Sequence, residues 1–441
     1  MKIFHTNDKN LKELIKGSSS AFFVKIAGML FTYLSMLFIT RFFGAEAWGI
    51  YTLGFTVLSI AVVIPVFGFD NSIIRLLTEL KQNNNKASIY KVLLKASSIT
   101  IILSVVVILG INYYSGFITN SVLRQKGFEP YLLLVRIAVL PMAFLILISV
   151  VFQSYKRIIQ FMLFKSALLS FMFLILLCVF YFLKIDAKIF EIYIYAILCT
   201  LVIASIALFF FSKSIKDGNS ELSSKTYSFK EIIYLSFPMM LSSSFALLMG
   251  WTDILMLSYY KAPKDIGIYS SALKLASITL IALASVNSIS SPKFAEFFSK
   301  KDFKGLKEVV QKSTKIMFIT SAPILLIFIL LPKTILGIFG PEFVSGYIVL
   351  ILLCAGRFIN SISGSVGHLM QMTDNQKTYQ YVIIVAFIIN LILNFLLIPK
   401  YGINGAALSS SIAMVFWNVT LVIIIKKRLG FWTFYIPFLV K

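Results

Sequence analysis

The chain has 441 residues, of which 59% are hydrophobic and 13% charged, with a mean hydropathy of +0.90. Soluble domains run at about 45–50% apolar and about 25% charged, so a soluble enzyme, a secreted disulfide scaffold and a disordered chain are excluded. The net charge of +23 is dispersed in short clusters between apolar runs rather than gathered on one basic, aromatic-interleaved face, which argues topology rather than nucleic-acid binding.

A span needs roughly 20 apolar residues, and twelve such runs are predicted in chain order: 18–42, 47–68, 89–112, 131–153, 159–182, 190–211, 231–259, 267–291, 313–331, 343–372, 378–398 and 403–425. No alternating ten-residue pattern suggests a β-barrel. The first run exceeds a signal-peptide core and a second span follows it after a short turn, so it is read as a span. Sorting Lys and Arg by segment puts 28 of the 41 on the side of the N-terminus and 9 on the other, with four inside spans. The positive-inside rule then places both termini in the cytoplasm of a multi-pass protein in the cell (inner) membrane. The chain divides into an N-terminal six-helix lobe (1–211), a polar, Ser-rich cytoplasmic linker (212–230), a C-terminal six-helix lobe (231–425) and a cytoplasmic tail (426–441). Cys178, Cys199 and Cys354 fall within apolar runs and are read as small buried hydrophobes.

The midpoint linker prompts a search for self-similarity. Gly49-Ile50-Tyr51 aligns with Gly267-Ile268-Tyr269 at an offset of 218, which also pairs Arg75 with Lys293 and Gln153 with Gln371, while Lys184 and Lys400 pair at 216. A near-constant offset of half the chain points to duplication. Six spans per half leave the two halves in the same orientation, the parallel-repeat arrangement of transporters that alternate access around a site.

Ionisable groups inside spans cost about 2.5–3.5 kcal/mol each on insertion scales and are functional candidates by default. There are five: Lys25, Arg136, Asp253, Lys274 and Arg357. The first four lie roughly 10 Å from a span end at 1.5 Å per residue. There a long cationic chain reaches the interface, and Asp253 is in range to pair with Lys274. Arg357 is central in 343–372, so it must face a partner or a hydrated cavity. Arg136 maps by the offset to position 354, on nearly the same helical face as Arg357, so both arginines are expected to point at the axis between the halves. Four cations against one carboxylate predict a positive cavity suited to an anionic cargo, and guanidinium groups fit phosphate. Asn390 and Asn394, sharing one face at i and i+4, are read as helix packing. Pro65, Pro141, Pro238 and Pro323 are expected to bend their spans. There is no GxxxxGK[ST] loop, no HExxH or CxxC motif, and no large loop with paired carboxylates. An ATP engine of its own, a paired-histidine metal site and a membrane glycosyltransferase or polymerase are therefore disfavoured, and the expectation is a protein that is not an enzyme and has no metal site or bound cofactor.

Three stretches carry a family likeness: RFFGAEAWGIYTLGFTVLSI (41–60) with GFDNSIIR (68–75); FPMMLSSSFALLMGWTDILMLSYY (237–260) with IGIYSSALKLASI (266–278) and SPKFAEFF (291–298); and FGPEFVSGYIVLILLCAGRFI (339–359) with INLILNFLLIPKYGINGAALSSSIA (389–413). They resemble the polysaccharide-transport (Wzx-type) branch of the multidrug/oligosaccharidyl-lipid/polysaccharide exporter superfamily. The resemblance implies an all-α, V-shaped protein of two pseudo-symmetric six-helix bundles around a central cavity. It further implies flipping of a polyprenyl-diphosphate-linked oligosaccharide from the cytoplasmic to the outer leaflet for surface polysaccharide such as O-antigen, alongside glycosyltransferases or a polymerase of the same pathway. Asp253 stands at the aspartate of the seventh span and is the candidate for ion coupling. Arg357 stands in the Gly-Arg stretch of the tenth and is the candidate for substrate binding; Arg136, Lys25 and Lys274 match no fixed motif of the family and join it as substrate-binding candidates on the membrane-charge argument alone, and a coupling H+ or Na+ is the one ion the reading admits. The alternatives are a multidrug or small-molecule exporter of the same superfamily and a peptidoglycan-precursor lipid flippase; from another class, a non-transporting scaffold or lipid-linked polymerase.

Overall fold

The computed structural model describes residues 9–82, 86–214 and 227–435. Residues 215–226 of the predicted linker and 436–441 of the predicted tail lie outside them. Among the described residues the elements are helical: α1 (Lys9–Val66), α2 (Phe69–Gln82), α3 (Lys86–Tyr113), α4 (Ser115–Phe117), α5 (Glu129–Ser154), α6 (Ile158–Met162), α7 (Leu168–Phe182), α8 (Ile189–Ser214), α9 (Phe229–Tyr260), α10 (Pro263–Ala276), α11 (Thr279–Ser299), α12 (Phe303–Leu330), α13 (Pro332–Gly337), α14 (Tyr347–Ser363), α15 (Val366–Met372), α16 (Gln376–Tyr401) and α17 (Ile403–Leu429). Wider π-turns at Ile118–Val122 and Leu163–Ala167 and a 3-10 turn at Pro341–Gly346 complete them.

Nine of these stretches are long and apolar enough to cross a membrane, or ten if the pair Pro263–Ala276 and Thr279–Ser299, bent by 40°, makes one span. The stretch Phe23–Leu80, with 58 residues, is about 87 Å long at 1.5 Å per residue against a hydrocarbon core of about 30 Å. It holds the first two predicted spans, separated by a kink at Gly44 (φ 83°) that a side chain would resist. Counting it as two crossings, the bent pair as one and α9 as one gives the twelve predicted spans. The chain is a multi-pass, all-α membrane protein.

By packing, the chain falls into two units: residues 1–43 with 53–251, and residues 44–52 with 252–441. In the first, α2 turns one face inward through Phe69, Ile73, Leu77 and Leu80 against Val92 and Ala96 of α3 and Leu147 and Val151 of α5. Helices close up where side chains are small, as membrane packing requires: a Cβ on Gly28 would stand 2.9 Å from the Ala167 Cα, and the Thr32 and Ser170 hydroxyls meet at 2.9 Å.

In the second unit, Phe294, Leu306, Val366, Leu369, Leu421 and Ile425 form the main apolar cluster. Here the limb of α1 that follows the kink crosses α10 at Gly49 and Gly267. A Cβ on Gly49 would lie 1.8 Å from the Pro263 carbonyl oxygen, and one on Gly267 would lie 2.0 Å from that of Ala45. Ala45 and Pro263, like Gly49 and Gly267, are 218 residues apart, and so are Thr52 and Ser270, whose hydroxyls meet at 3.4 Å. Residues matched by the repeat therefore touch reciprocally, the signature of a two-fold contact. Glu342 fastens the same place. Its Oε1 accepts from the Ala45 N–H at 2.5 Å, and its Oε2 lies 3.2 Å from Lys264 Nζ.

The predicted span 343–372 is not one continuous helix. It begins in a 3-10 turn and breaks at Gly364 (φ 77°) between α14 and α15. Glycine is needed at the break both for its positive φ and for space, since a Cβ there would lie 2.1 Å from Thr314 Oγ1 of α12. Arg357 thus lies ten residues into α14 and six from its end, nearer a helix terminus than a continuous span would put it. Pro65, Pro141, Pro238 and Pro323 lie inside α1, α5, α9 and α12, which continue through them.

Candidate functional site

Asp253 sits near the C-terminal end of α9, with 8% of its surface exposed. Oδ2 accepts from the Tyr269 hydroxyl of α10 at 2.5 Å and from the Ser410 hydroxyl of α17. Oδ1 accepts from Asn394 Nδ2 of α16 at 2.8 Å and, more distantly, from Asn390 Nδ2 at 3.4 Å. The amides and hydroxyl are bound to one another as well: Asn394 donates to Asn390 at 3.1 Å, and Asn390 donates to Ser410 at 3.1 Å. Four helices thus converge on one carboxylate through neutral donors, which removes much of the cost of burying its charge. Asn390 and Asn394, read as packing, are in fact partners of this carboxylate; their i, i+4 spacing puts both amides on the face of α16 that meets α9. Tyr269 and Ser410 had no signal of their own in the sequence, since a serine hydroxyl in a helix commonly bonds its own backbone and a tyrosine in an apolar run reads as an aromatic packing residue.

The Asn394 Oδ1 is buried and has no hydrogen-bond partner among the described residues.

Lys274, considered above as a partner for Asp253, instead extends over the indole of Trp48, its Nζ 5.0 Å from the ring centroid. Trp48 is 1% exposed and stacks on Tyr51 at 5.3 Å. Its indole N–H lacks a hydrogen-bond partner among the described residues. Arg357 is half-buried. Its one hydrogen bond among the described residues, to the Ser277 hydroxyl, is stretched to 3.5 Å, and no carboxylate pairs with it there. Tyr269 lies within its electrostatic reach. A single helical segment, 269–277, therefore touches the Asp253 cluster through Tyr269, holds Lys274 on Trp48 and meets Arg357 through Ser277. On the opposite face of α14, Leu352, Gly356 and Ile359 line an apolar cavity of about 670 Å³ with residues of α12 and α17. Arg357 faces away from that cavity, as 3.6 residues per turn dictates.

The remaining two candidates belong to the first unit. The Arg136 guanidinium donates to the Asn112 amide oxygen of α3. Lys25, half-buried on α1, has no hydrogen-bond or ion-pair partner among the described residues. The structure brings Asp253, Lys274 and Arg357 together around one segment; Lys25 and Arg136 are on other helices.

Residues 14–298 match the family model described as polysaccharide biosynthesis protein, and residues 238–396 match the MatE family. A putative O-antigen transporter of Shigella flexneri is 23% identical over 412 residues, covering 91% of this chain and 95% of that protein. A probable low-salt glycan biosynthesis flippase, Agl15, of Haloferax volcanii is 25% identical over 165 residues. That match covers 37% of this chain and only 35% of Agl15. Among solved structures, the lipid II flippase MurJ in an inward closed conformation superposes with a TM-score of 0.71 at 17% identity, covering 93% of this chain and 87% of that one. At that identity the likeness is one of fold. With its twelve predicted spans on helix and more than half of its length matched by one model, the chain belongs to the polysaccharide biosynthesis protein family.

Proposed function

We propose that this protein is a secondary transporter that flips a polyprenyl-diphosphate-linked oligosaccharide from the cytoplasmic to the outer leaflet by alternating access, for surface polysaccharide assembly. The observation that carries the reading is Arg357: a guanidinium in a membrane helix, held by one stretched bond to Ser277 and left without a carboxylate among the described residues. Such a group is costly unless it meets an anion, and its planar donors match a phosphate group in bidentate fashion. Lys274, steadied on Trp48, adds a second positive charge on the neighbouring helix. Arg136 and Lys25 are the further cations assigned to the substrate. The whole-length likeness to an O-antigen transporter supports the lipid-linked glycan as cargo.

In this reading the chain moves its cargo without chemical change and works in the cell membrane with both termini in the cytoplasm. Glycosyltransferases or a polymerase of the same pathway supply and consume the lipid. Asp253 carries the coupling charge. A proton would neutralise its carboxylate and a Na+ would compete for the oxygens that accept from Tyr269 and Ser410; either weakens those bonds, and the 269–277 segment bearing Lys274 would respond. The test is flipping of a labelled prenyl-diphosphate sugar by protein reconstituted in liposomes. Arg357→Ala abolishes it and Arg357→Lys restores part; wild-type rates in Arg357→Ala would remove the central element. The MatE match favours a second reading, export of a small organic cation. Uptake of a fluorescent lipophilic cation into inverted vesicles, without lipid flipping, would establish that one instead.

A further inference from the structure

The break in the tenth span takes the helical donor from the Ile362 carbonyl. The Ile362 oxygen would ordinarily accept from the Val366 N–H, but that N–H turns to the Gly364 oxygen at 2.9 Å. In a membrane a freed carbonyl must be satisfied from within the protein. The donor found here is the Tyr435 N–H at 3.1 Å, from beyond the last helix. The chain reverses at Gly430, where Lys426 Nζ donates to the Gly430 oxygen at 2.9 Å. It then returns with Phe431 and Thr433 buried and Phe434 packed on the apolar cluster of the second unit. The Tyr435 ring rests 5.5 Å from Phe318 of α12, which lies 5.8 Å from Phe358, the residue next to Arg357. One backbone bond and two ring contacts therefore connect the segment 430–435 to the helix that carries the guanidinium.

We infer that the segment 430–435 is a strap that holds the break at Gly364 closed and thereby positions Arg357. It rests on the reading of Arg357 as the diphosphate ligand. Tyr435 is a positioning residue whose backbone N–H matters more than its hydroxyl. The body of α14 is fixed on α17, where Asn360 donates to Asn418 at 3.1 Å and the Ser411 hydroxyl donates to the Leu352 oxygen at 2.7 Å; what the strap adds is a donor at the last turn of α14, five residues from Arg357, and without it that turn loosens and the guanidinium loses its fixed setting.

The test uses the full chain in nanodiscs, with binding of a short-chain prenyl diphosphate and amide exchange over residues 360–368 as separate readouts. Tyr435→Phe keeps both N–H and ring and matches wild type in both. Tyr435→Pro removes the N–H; it weakens binding about tenfold and speeds exchange over 360–368 by about tenfold or more, with exchange in α16 unchanged. Should the proline variant fail to fold, Tyr435→Ala keeps the N–H but lifts the ring from Phe318, and binding then weakens by a smaller factor. Equal binding and equal exchange in Tyr435→Pro and Tyr435→Phe would overturn the strap, as would wild-type binding and exchange in Tyr435→Ala. Arg357→Ala separates this from the underlying reading: if it binds the probe as wild type does, the diphosphate assignment falls, while the exchange data still decide whether the strap holds the break.

Discussion

At Asp253, a single charge is held by two hydroxyls and two amides. Removing a donor to a charged group costs about 1.5–3 kcal/mol, so Tyr269→Phe should lower the melting temperature in detergent by several degrees while leaving the helices intact. Asp253→Asn keeps the shape but brings an NH2 against groups that donate. Transport driven by an ion gradient should fall to background while the protein still elutes as a monodisperse species; gradient-driven flipping at the wild-type rate would exclude Asp253 as the coupling group. Asp253 was legible as a carboxylate inside an apolar run, and Arg357 as a cation too deep to escape to the interface. Its donors were not, because Asn390 and Asn394 are 137 and 141 residues away along the chain, and an amide in a span looks the same whether it packs or binds. Lys274 was legible as a charge but not as a cation resting on Trp48, since nothing in the sequence says which aromatic ring a lysine will find.

Among the elements, the crossing of α1 and α10 tolerates no side chain. Gly49→Ala would drive a Cβ to 1.8 Å from the Pro263 oxygen and should destabilise by about 3 kcal/mol, the upper range for overpacking. Gly110→Ala on α3, where nothing lies within 4 Å, should instead stabilise by roughly 0.5–1 kcal/mol. Thermal melting of the two variants side by side checks both signs. Glu342→Ala removes the cap from the Ala45 N–H as well as the contact with Lys264, at a cost of about 0.5–2 kcal/mol. Helix positions were readable because apolar runs of the right length have few other uses. The break at Gly364 was not, because serine and glycine are common in unbroken membrane helices, so the polar stretch Asn360 to His368 reads as helix contact as readily as a break. What makes glycine necessary there is Thr314, a residue of another element, which leaves no room for a side chain.

For the whole molecule, the Lys and Arg asymmetry makes a checkable statement. Cysteines placed at Lys301 and Lys312 should react with an impermeant maleimide only from the cytoplasmic side, and one placed at Lys333 only from outside. Labelling of Lys301 from outside the cell would reverse the orientation. Fold class was legible in the sequence because hydropathy is spread over the full length, and the family because three stretches of it carry the likeness. The positions of side chains around Asp253 were not, because they depend on four helices meeting.

The glycine crossing constrains how either of its helices can vary. Each of the two glycines meets a backbone carbonyl oxygen of the other's helix. At Gly49 and Gly267 change is forbidden twice over, since a side chain on either glycine collides with backbone that no substitution elsewhere can trim.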